Sequence, residues 1–252
     1  MTVVPRRELG QHFLVDENIL GVIGRLAELA PGDAVLEVGP GLGVLTRYLA
    51  ARVARVHAVE LDASLAASLT DLPPNVELEV GDALRVDLGR LEPTKLVANL
   101  PYNVATPLIV ESLEGLPTVS LWCVMVQREV ADRFFAPEGT KAYGAVSVYV
   151  RLAAERTGFH PVSPNVFRPR PNVESALVAF RRRRLPDDFG RIKSVVAAAF
   201  AHRRKTLANS LELSGLATRD EAAAALAKIG READARAQAL APEEFVRLMQ
   251  AL

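Results

Sequence analysis

With 252 residues, 50% of them hydrophobic and 24% charged, the chain has the make-up of a globular protein with one large domain, or one plus a small appendage. No apolar run reaches the length of a membrane-spanning helix, and Arg6, Arg7 and Glu8 interrupt the apolar core that a signal peptide needs, so a cytoplasmic location is expected. The lone Cys123 sits in an apolar run and reads as a buried small hydrophobe, and the four histidines, at 12, 57, 160 and 202, lack ligand spacing, so no disulfide framework and no metal site are expected.

Residues 6–14, R-R-E-L-G-Q-H-F-L, follow neither a helical nor a strand period, yet carry Phe13 and Leu14. They read as a loop that folds back over a site. Asp16 is placed to cap a helix whose Ile19, Val22, Ile23, Leu26 and Leu29 share one face, ended by Pro31, Gly32 and Asp33. Residues 34–38 have a buried-strand pattern and lead into Gly39, Pro40, Gly41, Leu42 and Gly43, then a helical stretch over 44–51. A glycine-rich turn between strand and helix lets backbone approach a ligand at the helix N-terminus. The third glycine arrives one residue too early for the dinucleotide pattern G-x-G-x-x-G, so the spacing argues against NAD. An acidic residue two before the first glycine, Glu37, is the arrangement seen in S-adenosylmethionine-dependent methyltransferases.

Three further strands end in polar residues. The second, 56–59, ends in Glu60, Leu61 and Asp62, and Glu60 is the better placed to accept both ribose hydroxyls of an adenosine-containing cofactor. The third, 76–80, leads to Gly81 and Asp82, which can accept from an adenine amine. The fourth, 96–98, delivers Asn99, Leu100, Pro101 and Tyr102. In an open α/β sheet the carboxyl edge of the strands is where ligands bind, so four such strand ends in succession turn a short motif into a site. The N6 lone pair of adenine is delocalised into the ring and attacks a methyl donor poorly unless its amine is held. The Asn99 side-chain oxygen and the Leu100 carbonyl are the expected acceptors, Pro101 stiffens the turn, and Tyr102 offers an extruded base a stacking face.

Beyond this turn, a helix over 105–113, a strand over 119–126 and a helix over 127–135 are expected. Residues 144–154 lean to helix, and 156–162 with 175–180 resemble a closing hairpin. The intervening loop holds Pro164, Pro169 and Pro171, whose stiffness suits a Phe167 that stacks on a base opposite Tyr102, with Arg168 and Arg170 meeting phosphates. From 151 to 209 there are thirteen Lys/Arg against four Asp/Glu, a surplus that points to a polyanionic partner. Arg181, Arg182, Arg183 and Arg184 with Pro186 to Gly190 mark a boundary, giving a catalytic domain over 1–184 and a helical domain over 185–252. The latter carries Arg203, Arg204 and Lys205 at a helix end, suited to RNA docking.

Taken together, the chain resembles the small-subunit (16S) rRNA adenine N6,N6-dimethyltransferases over nearly its whole length. The resemblance rests on L-G-Q-H-F-L at 9–14, E-V-G-P-G-L-G at 37–43, Glu60, Gly81 with Asp82, N-L-P-Y-N-V-A-T-P at 99–107, V-Q-R-E-V-A-D at 126–132, the F-x-P-x-P-x-V-x-S loop at 167–175, and R-R-K-T-L at 203–207 followed by Asn209. It implies a Rossmann-like α/β fold, a seven-stranded S-adenosylmethionine-dependent methyltransferase sheet with a small all-helical C-terminal domain. It also implies two methyl transfers to N6 of each of two adjacent adenosines near the 3′ end of the rRNA. By the same resemblance His12 and Leu14 touch the methionine end of the cofactor, Gly39 approaches it by backbone within the Gly39–Gly41 loop, Glu60 holds the ribose, Asp82 the adenine, and Asn99 lies near both methyl group and amine. Asparagine is the usual residue at position 12, and this chain has His12. The alternatives are a large-subunit (23S) adenine methyltransferase of the macrolide-resistance type and a non-catalytic ribosome assembly factor. A monomer is expected, because no large apolar stripe is left unassigned.

Overall fold

The computed structural model describes residues 11–252; residues 6–10 of the loop expected to cover a site lie outside the described residues. The chain divides into two compact units, Met1–Ala131 with Glu155–Arg182, and Asp132–Ala154 with Arg183–Leu252.

The first part of the chain runs β1 (Phe13–Leu14), α1 (Glu17–Leu26), β2 (Ala34–Val38), α2 (Val44–Ala50), β3 (Arg55–Glu60), α3 (Ala63–Ala67), β4 (Val76–Val80), β5 (Lys95–Asn99), α4 (Ala105–Gly115) and β6 (Leu121–Gln127). After α5 (Arg128–Phe134) and α6 (Ala145–Ala153) come β7 (Ala154–Val162), β8 (Phe167–Arg168) and β9 (Ser175–Arg182). Seven strands form one sheet in the order β4-β3-β2-β5-β6-β9-β7, so the α/β architecture and the neighbouring placement of β7 and β9 agree with the sequence pattern. Strands β2 to β6 pair in parallel and β9 runs antiparallel to β6. The central strands are near-continuous apolar runs because both faces are covered; Val35, Leu36, Leu96, Val97 and Val124 are fully buried. The edge strand β4 instead alternates valine and leucine with Glu77 and Glu79. Chain direction across the sheet reverses between β2 and β5, and the crevice beyond their carboxyl ends is where such folds take ligands.

The opposite edge is closed by ion pairs. Lys95, at the start of β5, pairs with Asp33 at 2.8 Å and also donates to the Glu28 carbonyl. Helix α1, capped by Asp16 as expected, stops at Leu26 instead of continuing to Leu29. Glu28 there turns to a φ of +49°, which frees its carbonyl for Lys95 and its carboxylate for Arg181 at 2.7 Å. Arg182 donates to the carbonyls of Leu113, Leu116 and Val119 and lies 4.7 Å over the Trp122 ring. Two of the four arginines expected to mark a boundary are therefore committed to the sheet.

The second unit gathers the end of α5 and α6 with α7 (Phe189–Ala201), α8 (Leu207–Leu213), α9 (Arg219–Lys228) and α10 (Pro242–Ala251). This differs from the boundary read at 184, since residues 132–154 cluster with the C-terminal helices. The reason is long-range bonding: the Tyr143 hydroxyl donates to the Leu240 carbonyl at 2.8 Å, Tyr149 to Lys193 at 3.0 Å, and the Gly139 amide to Gln238 at 2.8 Å. Helix α9 begins in a capping box in which Thr218 and Glu221 satisfy each other's backbone N–H groups.

Candidate active site

A cleft of about 1020 Å³, open solvent at its mouth included, lies at the carboxyl ends of β2, β3, β4 and β5 within the first unit. Its floor is the loop after β2. Gly39 has a φ of +74°, and a Cβ there would meet Pro101 at 3.2 Å; Gly41 has a φ of +59°, and a Cβ there would meet Phe13 at 3.0 Å. Both positions need glycine for backbone conformation and for close approach. The glycine loop is thereby fitted against the N-L-P-Y turn on one side and the N-terminal segment on the other.

Two carboxylates face the cleft from neighbouring strands. Glu60, at the end of β3, accepts the Gly41 amide at 3.2 Å through Oε2 and the Asp62 amide at 3.0 Å through Oε1. Each oxygen keeps a second acceptor position, the arrangement needed to take a pair of hydroxyls. Burial raises the Glu60 carboxyl above its ordinary range, opposed by those two backbone bonds. Glu37, on β2, is more extreme: its Oε2 is buried without a hydrogen-bond partner, and burial pushes its carboxyl up to about 8, opposed by the Thr46 hydroxyl and reinforced by Glu60. Asp62 does different work, capping α3 through Ser64 and Leu65, with its other oxygen taken by Gln11 at 3.3 Å. The Ser64 hydroxyl is the main influence that lowers its carboxyl pKa.

Of the N-terminal segment, the described residues 11–14 line this cleft. Phe13 and Leu14 pair with Arg168 and Phe167 in an antiparallel β1–β8 ribbon, the His12 ring lies 2.8 Å from the Pro169 carbonyl through Nδ1, and the Val15 amide donates to Val166 at 2.9 Å. At the end of β5, Asn99 Nδ2 donates to the His12 carbonyl at 3.1 Å. That bond fixes the amide so that Oδ1 is the atom available to a substrate N–H. Leu100 donates its amide to Met125 at 3.0 Å and buries its side chain, while the Tyr102 hydroxyl meets Ser175 Oγ at 2.8 Å.

Of the residues expected to act here, His12, Leu14, Gly39, Gly41, Glu60, Asp82, Asn99, Leu100, Pro101 and Tyr102 all line the cleft. Phe167 does not. Its ring is fully buried in the core with Leu14, Leu20, Ile23 and Leu177, because β8 pairs with β1 and turns that side chain inward. The expected stack on a base opposite Tyr102 is thus corrected: in this structure Phe167 holds the fold. Arg168 and Arg170 are exposed in the first unit, and Arg203, Arg204 and Lys205 are exposed in the second. The motifs E-V-G-P-G-L-G, L-G-Q-H-F-L and F-x-P-x-P-x-V-x-S contain Glu37, Gln11 and Ser175, but the burial of Glu37 and the bonds of Gln11 to Asp62 and of Ser175 to Tyr102 escape a reading by motif. Among the described residues no group of three His, Cys, Asp or Glu is placed to share a metal ion.

Comparison with known proteins settles the family. The ribosomal RNA adenine dimethylase family matches residues 4–252. The chain belongs to the ribosomal RNA adenine dimethylase family. A relative from Rubrobacter xylanophilus, ribosomal RNA small subunit methyltransferase A, is 46% identical over 250 residues, covering 97% of this chain and 94% of its own. The protein of the same name from Moorella thermoacetica is 40% identical over 269 residues, covering 99% of this chain and 93% of its own. Among solved structures, 23S rRNA methyltransferase ErmE superposes with a TM-score of 0.69 at 30% identity, covering 95% of this chain and 99% of its own. A dimethyladenosine transferase from Plasmodium falciparum superposes with a TM-score of 0.79 at 22% identity, covering 94% of this chain and 96% of its own, which shows a shared fold. S-adenosylmethionine is the methyl donor of the dimethylase family, and the cleft suits it. The glycine cradle would be filled by any Cβ, Glu60 keeps free acceptor positions, and Glu37 holds an orphaned oxygen that a cationic ligand can satisfy.

Proposed function

We propose that the protein dimethylates N6 of two adjacent adenosines near the 3′ end of 16S rRNA in the small ribosomal subunit, and so takes part in small-subunit biogenesis. The observation that carries this reading is the Asn99 amide, whose Nδ2 donates to the His12 carbonyl and which lines the cleft at the end of the strand beside the one that leads into the glycine loop. The names of the relatives, which specify the small subunit, favour it over the 23S alternative, whose shared fold is expected from shared chemistry.

S-adenosylmethionine, when bound, supplies a methyl group already activated on a sulfonium, so the chain need only bind, orient and dehydrate. Glu60 and Asp82 hold the adenosine part, and His12 and Leu14 cover the methionine part. Asn99 Oδ1 and the Leu100 carbonyl accept the two N–H groups of the target amine, and Tyr102 supports the flipped base. No strong base stands in the Asn99 to Tyr102 turn, and the amine proton leaves after attack. Arg168 and Arg170, with Arg203, Arg204 and Lys205, serve the RNA backbone. The protein acts as a cytoplasmic monomer; among the described residues no helix is long and apolar enough to cross a membrane.

Methyl transfer from labelled S-adenosylmethionine to purified small and large subunits, each lacking its native modification, tests this reading. Dimethyladenosine in the small subunit alone is the expected product; label in the large subunit would favour the resistance-type enzyme, and no label in either would favour an assembly factor.

A further inference from the structure

Tyr102 lines the cleft, and its hydroxyl is anchored outside it. Tyr102 sits in a turn closed by the Val104 and Ala105 amides, which donate to the Pro101 carbonyl at 3.1 and 3.2 Å; it is half-buried, with its ring centroid 5.6 Å from that of His12 at a tilt of 32°. Its hydroxyl reaches 2.8 Å to Ser175 Oγ. Ser175 is fully buried, is the first residue of β9, and is paired in register with Gln127 of β6. It does not line the cleft. The ring is therefore tied by its hydroxyl to a fixed point of the sheet, while the Phe167 ring lies in the core.

We propose that Ser175 is a positioning residue that sets the plane of Tyr102, and that this anchor matters more for the second methyl transfer to each adenosine than for the first. The inference rests on the N6-dimethylation reading. In each transfer the N6 lone pair forms the new C–N bond as the C–S bond breaks toward the departing thioether sulfur, and N6 then releases one proton to water. Before the first transfer the amine has two N–H groups, one for Asn99 Oδ1 and one for the Leu100 carbonyl. Before the second it has one, and an acceptor must face a methyl group instead. With half of the directional hydrogen bonding gone, the orientation of the base depends more on the ring beneath it. A Tyr102 that can swing costs the second transfer more.

The test follows both products over time on unmethylated small subunits, using wild type, Ser175→Ala, Tyr102→Phe and the double variant. Loss of one hydrogen bond of ordinary strength is expected to slow the second transfer by about fivefold in either single variant, and the first by less than about twofold. N6-methyladenosine then accumulates. The double variant is expected to match the singles, because both remove the same bond. Equal slowing of both transfers, a wild-type product ratio in either single variant, or additive effects in the double would each overturn the anchor while leaving dimethylation by the wild type intact. A wild type that makes no methylated adenosine would overturn the underlying reading and the anchor with it.

Discussion

The turn after β5 and the loop between β7 and β9 each carry an aromatic residue within two positions of a proline, and they use it in opposite ways. Tyr102 lines the cleft and hangs from Ser175 by its hydroxyl. Phe167 has no polar end, and it is buried among leucines where β8 meets β1. A polar handle lets an aromatic ring stand at a boundary between core and solvent, whereas a purely apolar ring follows its area into the core. Sequence motifs place an aromatic residue at a site; the pairing partner of its strand decides which way the ring points.

The sharpest way to break this comparison is to truncate both rings. Phe167→Ala is expected to cost about 3–5 kcal/mol of stability, the usual range for a deleted core ring, measured by denaturant unfolding. Tyr102→Ala is expected to leave stability within about 1 kcal/mol, as for a boundary side chain, and to lose most methyl transfer. If the Phe167 variant unfolds like wild type but loses activity, the ring belongs in the site after all.

A smaller contrast separates the arginines. Arg182 donates to three backbone carbonyls and covers Trp122, while Arg204 is exposed. Arg182→Ala is expected to destabilise by about 2–3 kcal/mol through carbonyls left unpaired. Arg204→Ala is expected to leave stability unchanged and to reduce the salt dependence of small-subunit binding by about one unit of slope. Equal slopes for wild type and the Arg204 variant would remove Arg204 from the RNA contact.

The last contrast concerns the buried carboxyl, whose effect is one of pH dependence. Glu37 is protonated in the fold up to about pH 8 and only to about 4.5 in the unfolded chain. The folded state therefore binds the extra proton in that window, and stability contributed by the neutral form is full below it and declines as pH rises through it. Glu37→Gln is expected to flatten this decline between pH 5 and 8, by roughly a few kcal/mol across the window at most, since each pKa unit is worth about 1.4 kcal/mol. An unchanged slope would mean that Glu37 is already ionised in the fold.

What was legible in the sequence was what repeats or is sterically forced. Strands β2, β3, β5 and β6 declare themselves by apolar runs, β4 by strict alternation, and Gly39 and Gly41 by a conformation no other residue adopts easily. Asn99 was legible because three earlier strands also end in polar residues at the same sheet edge. The ribbon of Phe13 and Leu14 with Phe167 and Arg168 was not, since two-residue strands have no period. Nor was the membership of residues 132–154, which hangs on bonds such as Tyr143 to Leu240, nearly a hundred positions apart in sequence. The surplus of arginine from 151 to 209 was read as one basic region, yet Arg181 pairs with Glu28 and Arg182 serves carbonyls. Composition counts charges without saying which are already spent on the fold.

The central claim is that Asn99 orients the target amine. It is tested most directly by the single-turnover rate of methyl transfer to unmethylated small subunits at saturating S-adenosylmethionine, comparing Asn99→Ala with wild type. Removing a preorganised acceptor is expected to lower that rate by about 10²–10³-fold, with subunit binding retained. A rate within a fewfold of wild type would contradict the account and move the orienting role to another group.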